Sequence, residues 1–359
     1  MKKVAFIVPY PIGFAPSQRF RFEQYTSFFE ENNFQLKYFP FLSENDFKVL
    51  YESGQFFRKF LAIIKGFFKR FIMLFQLGKF DIVFIHREAS PIGPPIFEWF
   101  ISKLLKKKII YDFDDAIWLK NTSETNKVVS SVKGHSKVGK ICKWSNQIFC
   151  GNEYLIDYAK QFNLNVKYIP TTIDTVNTHN KIKKHTNKRL IIGWTGTHST
   201  IKYLEKIELL LSRIQKKINF DFTIISDVDP DFKSLNYSFL KWNKKTELSD
   251  LLTIDIGLMP LEDTKWTRGK CGFKALQYMA LGIPCIISPV GVNKLIVKDN
   301  YNGFLADSEK EWENKIKSLV NDFNLRTEIG ARGVESVKNN YSVIAYKNIY
   351  LNFFQELLD

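Results

Sequence analysis

The sequence predicts an α/β protein made of two doubly wound, Rossmann-like domains facing a cleft. Three observations carry that expectation: short unbroken apolar runs, longer helical stretches between them, and a lysine-rich polar interval after which the pattern restarts. Apolar runs without alternation suit strands covered on both faces, as in parallel sheets flanked by helices. A chain of 359 residues is long for one domain and comfortable for two.

The first series of runs is VAFIVPY (4–10), DIVFIH (81–86), KIIYDFD (108–114), QIFCGN (147–152) and VKYIP (166–170). The interval NTHNKIKKHTNKR (177–189) reads as a hinge. The second series is LIIGWTG (190–196), FTIISD (222–227), IDIGLMP (254–260) and IPCIISP (283–289). The expected domains are therefore 1–175 and 188–340. In such sheets ligands sit beyond the carboxyl ends of the strands, so candidate residues are sought just after each run.

After the first run, PYPIGFAPSQRFR (9–21) brings Gly13, Ser17, Arg19 and Arg21 to a strand end. The loop is either ligand-facing or an ordinary turn feeding a helix. His86, Arg87 and Glu88 follow the second run, and His86 is a candidate catalytic group. YDFDDAIW (111–118) places Asp112, Asp114 and Asp115 within four positions. Carboxylates so close repel unless they hold a cation, a proton or hydroxyls. Asp114 and Asp115 are thus candidates to orient or deprotonate a substrate hydroxyl.

Residues 56–77, FFRKFLAIIKGFFKRFIMLFQL, are strongly apolar yet contain Arg58, Lys59, Lys65, Lys69 and Arg70. That many cations oppose a membrane-spanning helix. The composition fits an amphipathic helix lying on an anionic membrane, and equally a core-packed helix with a solvated basic face.

The richest stretch is IDIGLMPLEDTKWTRGKCGFKALQYMALGIPCIISPVG (254–291). A strand end leads into a loop with Arg268 and Lys270, then a helix closed by Gly282 and Pro284. On that helix Lys270, Lys274 and Gln277 follow at i, i+4 and i+7, so they share one stripe. Arginine and lysine match a diphosphate, and an amide can hydrogen-bond sugar hydroxyls. In IGWTGTHSTIKYL (192–204), Gly193 and Gly196 allow close backbone approach, and the N–H groups at the helix start, near Thr197, can face a phosphate.

These segments resemble the donor domain of retaining glycosyltransferases with the GT-B fold, family 4 and the group 1 transferases in particular. The tail of the family signature is present as Met279-Ala280-Leu281-Gly282-Ile283-Pro284. Gln277 stands where the family has the second of two Glu residues, which contacts the nucleotide ribose; Gly269 falls at the first. Lys202 sits where the family often has a phosphate-binding Lys, and VGVNKLIVKDNYNGFLA (290–306) is similar to its loop and hairpin. The resemblance implies that the loop bearing Gly13 and Arg19 faces the cleft and touches donor phosphate or acceptor. It implies that the last helix, 341–359, returns to the N-terminal domain. It also implies a nucleotide-sugar donor, a saccharide or polyprenyl-linked acceptor, retention of configuration, and no metal or other cofactor, lysine and arginine taking the metal's role. Acceptors of similar proteins belong to cell-surface polysaccharide and glycoconjugate assembly.

Other classes stay in view: a GT-B sugar-nucleotide epimerase, or a donor-binding subunit without catalysis. The formal charge of +15 also invites nucleic acid. The cations lie in loops and one apolar-basic helix, however, and no nucleic-acid module is recognisable. Cys142, Cys150, Cys271 and Cys285 form no CxxC pair and fit reduced thiols. The start MKKVAFIVPYPIG reads as a first strand and turn rather than a leader, which points to the cytoplasm, peripheral on the inner membrane face if 56–77 binds lipid.

Overall fold

The computed structural model describes residues 1–51, 54–119, 134–186 and 189–358. The chain divides into two compact units, Met1–Thr171 with Tyr346–Asp359, and Thr172–Ala345.

The first unit is built on β1 (Lys2–Val8), β2 (Phe34–Pro40), β3 (Ile82–His86), β4 (Lys108–Phe113), β5 (Gln147–Cys150) and β6 (Val166–Tyr168). All pairs are parallel, in the order β2-β1-β3-β4-β5-β6, so the order reverses between β1 and β3. Val4–Val8 and Ile82–Ile85 have almost no exposed surface. That is why their apolar runs do not alternate.

The second unit carries β7 (Leu190–Thr195), β8 (Phe220–Ser226), β9 (Ser238–Lys241), β10 (Ile256–Met259), β11 (Cys285–Ile287) and β12 (Phe304–Leu305). Its order is β9-β8-β7-β10-β11-β12, again parallel throughout. The first strand lies at the centre and the order reverses between β7 and β10, the doubly wound arrangement of dinucleotide-binding folds.

Phenylalanine supplies much of the first core. Phe6 lies 4.7 Å from Phe84, and the closing helix adds Phe354, 4.7 Å from Phe29, and Tyr350, 5.4 Å from Phe149. Such ring pairs each add about 0.5–1.5 kcal/mol beyond the area they bury. All four cysteines are free and buried.

The interval expected to be a hinge is fastened to the second unit instead. Lys183 Nζ donates to the carbonyls of Leu252 and Thr253 and pairs with Asp255 at 2.9 Å, while its backbone N–H donates to Leu281 O. His185 Nε2 lies 2.9 Å from Gly282 O. Charged residues therefore marked a strap bound along the unit, not a solvated connector. Asn187 and Lys188, within that interval, lie outside the described residues.

The basic apolar segment forms α1 (Phe56–Gln76), which buries Ala62, Gly66, Arg70, Met73 and Leu74. A side chain at Gly66 would run into the Phe41 ring, so glycine lets the helix cross there. Arg70, grouped from sequence with a basic face, is fully buried. Its guanidinium donates to Ala89 O (2.5 Å), Phe39 O (2.6 Å) and Val8 O (2.8 Å). It thus ties the ends of β1 and β2 to the segment after β3.

Candidate active site

At the carboxyl ends of the first sheet the charged residues satisfy one another. His86 and Asp112 are register partners on adjacent strands. His86 Nδ1 lies 2.7 Å from Asp112 Oδ2, and Arg21 Nε donates to the same carboxylate at 3.0 Å. Arg21 Nη1 donates to Ile169 O at 2.6 Å. All three side chains are buried, and Phe22 meets the His86 ring edge-on at 5.3 Å. Burial opposes charge on Asp112, yet Arg21 and His86 outweigh it and hold its pKa below the usual carboxylate value. The His86 ring, expected as a catalytic group, has no exposed surface here and is held in the buried cluster with Asp112 and Arg21.

Asp114 and Asp115 flank one guanidinium. Arg87 Nη2 is 2.7 Å from Asp114 and 2.8 Å from Asp115, with both carboxylates partly exposed. Of the partners that the sequence reading allowed for this cluster, a cation, a proton or hydroxyls, Arg87 of the protein itself supplies a cation. The Coulombic pull of both carboxylates overcomes desolvation and raises the Arg87 pKa. Arg87 also adopts φ +59, a strained value for a side-chain-bearing residue, and its backbone is fixed at both ends: N–H to Asp112 O, carbonyl to Tyr111 Oη.

Gly13 has φ +84, a value that favours glycine, and its N–H donates to Glu23 at 2.8 Å. Gln18 braces the same loop through Tyr10 N and O and through Glu23. Arg19 is half-buried with its guanidinium 4.9 Å from the Phe20 ring centre.

In the second unit, the point where strand order reverses lies between the ends of β7 and β10. Trp194 and Thr195 close β7; Thr195 N–H donates to Tyr278 Oη at 3.0 Å, and the Lys274 ammonium stands 5.4 Å over the Trp194 ring. Lys274 rides on α3 (Phe273–Ala280), which follows α2 (His198–Glu205) in the chain. The start of α3 needs Gly272: its φ is +68, and a side chain there would collide with Ile296.

Three expectations for this region change. The stripe of Lys270, Lys274 and Gln277 does not exist as such, because α3 begins at Phe273 and Lys270 stays in the preceding loop. There its ammonium lies 5.6 Å over the Trp266 ring. Gln277 is buried and its Nε2 meets His179 Nε2 at 3.3 Å, so the amide expected on a ribose is engaged by the strap. At the start of α2 three backbone donors have partners: Gly196 N–H donates to Ile225 O, Thr197 N–H to Thr200 Oγ1 and His198 N–H to Asp227. The anion at that terminus is a carboxylate of the protein itself. Gly196 is required by packing, since a side chain there would strike the Trp194 ring and Thr200.

Arg268 forms a two-point pair with Asp263, at 2.6 and 3.0 Å, and is half exposed. Lys202 is exposed, 5.2 Å over the Tyr203 ring. The structure thus brings Lys274 to the strand ends beside Trp194 and gives Arg268, Lys270 and Lys202 separate local partners.

Residues 233–335 match the family model described as glycosyl transferases group 1. The match lies within the second unit. Arg268, Lys270, Lys274 and Gln277 fall inside the matched stretch; Trp194, Gly196, Thr197 and Lys202 precede it. An uncharacterized glycosyltransferase of Methanocaldococcus jannaschii is 27% identical over 183 residues, which are 44% of this chain and 52% of the relative. The match thus spans about half the length of that relative. The fold of sucrose-phosphate synthase from Thermosynechococcus elongatus covers 99% of both chains with a TM-score of 0.68 at 11% identity. HepE of Anabaena, solved with UDP-glucose, covers 99% of this chain and 100% of its own at a TM-score of 0.63 and 11% identity. At such identities the likeness is one of fold, and the fold is GT-B.

Sequence reasoning missed three residues in the contacts described for the second unit. Trp194 stood in the open as the aromatic at the end of LIIGWTG. Asp227 likewise followed directly on an apolar run. His179 gave no local signal, since it meets Gln277 across 98 positions of chain.

Proposed function

We propose that the protein transfers a sugar from a nucleotide-sugar donor to a saccharide or polyprenyl-linked acceptor, with retention, in the assembly of a cell-surface polysaccharide or glycoconjugate. The observation that carries the reading is Lys274. Its ammonium stands over the Trp194 ring at the place where the strand order of the second unit reverses, on a helix inside the stretch that matches the group 1 model. Doubly wound sheets hold phosphorylated ligands at that place. An ammonium fixed there offsets negative charge growing on a leaving diphosphate, with Lys270 and Arg268 on the loop before α3 as its companions.

In this reading lysine and arginine do the electrostatic work that a metal does elsewhere, and no metal is required. Asp114 and Asp115, oriented by Arg87, hold an acceptor hydroxyl. Gly13 and Arg19 line the donor or acceptor path on the first unit. A UDP-sugar donor is the first to try, because HepE was solved with UDP-glucose. A cytoplasmic location, on the inner membrane face for a polyprenyl-linked acceptor, completes the proposal.

The test is a nucleotide-sugar panel assayed with and without saccharide acceptors. Acceptor-dependent release of nucleoside diphosphate, with the product anomer matching the donor, is the expected result. Epimerised donor in the absence of acceptor would replace this reading by the epimerase one.

A further inference from the structure

One face of α1 is apolar and open. Phe57, Phe60, Ile64, Phe68, Phe71 and Phe75 recur at three- and four-residue steps, the spacing of a single helix stripe, and each is between 48% and 77% exposed. The opposite stripe, Ala62, Gly66, Arg70 and Met73, is the buried one. The open stripe is therefore not what holds α1 to its unit. Monomeric soluble proteins seldom display a contiguous aromatic ridge of this kind.

Charge indicates the occupant. Arg58, Lys65 and Lys69 follow at steps of seven and four along one border of the ridge, all exposed, and α1 contains no Asp or Glu. Rings flanked by cations on long flexible stems suit a boundary that is hydrocarbon below and anionic above, where the stems extend upward to the headgroups. Among the described residues no helix is long and apolar enough to cross a membrane.

We infer that the Phe57–Phe75 stripe of α1 lies flat in the surface of an anionic bilayer, its rings beneath the headgroups and Arg58, Lys65 and Lys69 among their phosphates. The inference deepens the lipid-linked acceptor proposed above and rests on that reading for its purpose, though not for its geometry.

The test is co-sedimentation of the full chain with phosphatidylcholine vesicles, with and without phosphatidylglycerol. The full chain should bind the anionic vesicles. The triple variant Phe68→Ser/Phe71→Ser/Phe75→Ser should bind them about tenfold more weakly or worse, with its melting temperature unchanged. Lys65→Gln/Lys69→Gln should lose about tenfold or more on anionic vesicles and far less on neutral ones, since each cation near such a surface counts separately.

Absence of vesicle binding, or equal binding by the triple serine variant, would overturn the inference. So would a dimer of the full chain, seen by light scattering, that the serine variant dissociates, because the ridge would then belong to a second copy. Turnover on a soluble saccharide acceptor separates the two proposals. Transfer without vesicle binding sinks only the membrane surface, and vesicle binding without use of any nucleotide sugar sinks only the transfer.

Discussion

In the first unit the cations at the strand ends are met inside the protein, Arg21 by Asp112 and Arg87 by Asp114 and Asp115, whereas in the second Lys274 and Lys270 stand over the rings of Trp194 and Trp266. Both sheets reverse order at the corresponding place, so fold alone does not explain the contrast. A guanidinium between two carboxylates has its charge and its donors committed to the scaffold. A ring face attracts an ammonium through its quadrupole, a looser hold than a carboxylate gives a guanidinium. The comparison separates cations bound by carboxylates from cations set against aromatic rings.

The largest effect is expected in the first unit. Asp112→Ala leaves Arg21 buried without its carboxylate and should cost about 3–5 kcal/mol of that unit's stability, measured by urea unfolding. A loss below about 1 kcal/mol would mean that solvent or rearrangement satisfies Arg21 easily.

The same carboxylate sets a pH limit. Its folded pKa lies below its unfolded value, so its contribution is complete above the unfolded pKa of about 3.9 and disappears as pH falls through the folded one. Asp112→Asn should therefore show a shallower fall in stability on acidification. Parallel acid limbs for the two proteins would assign that fall to other carboxylates.

In the second unit the effects on stability should be smaller. Gln277→Leu removes the amide from His179 and should cost about 1–3 kcal/mol in thermal or urea unfolding of that unit. Arg268→Ala breaks a half-exposed pair with Asp263 and should change stability by less than about 1 kcal/mol. If Arg268→Ala proved as damaging as Asp112→Ala, the difference between the buried pair of the first unit and the half-exposed pair of the second would collapse.

Both parallel sheets were legible, because unbroken runs such as VAFIV and LIIGW meet the needs of strands buried on two sides. The group 1 likeness was legible from Met279 to Pro284 for a related reason: a helix stop and a buried strand leave a fixed pattern. Local spacing misled where long-range partners decide. Arg70 looks like Lys69 in sequence, yet three carbonyls from distant segments enclose it. Asp112 looked like one of three carboxylates at a site edge, but pairing with Arg21, 91 positions away, moved it into the core. The start of α3 was placed a turn too early because nothing in the spacing of Lys270 and Lys274 reveals that Gly272 turns left-handed between them.

The most direct measurement is a calorimetric titration of UDP, ADP and GDP into the full chain and into Lys274→Ala. Lys274 should be worth a charge-assisted hydrogen bond of about 1.5–3 kcal/mol, so the variant should bind its preferred nucleotide about tenfold or more weakly. Its melting temperature in the absence of ligand should be unchanged. Equal affinity in the two proteins would contradict the assignment of the β7–β10 strand ends as the donor site.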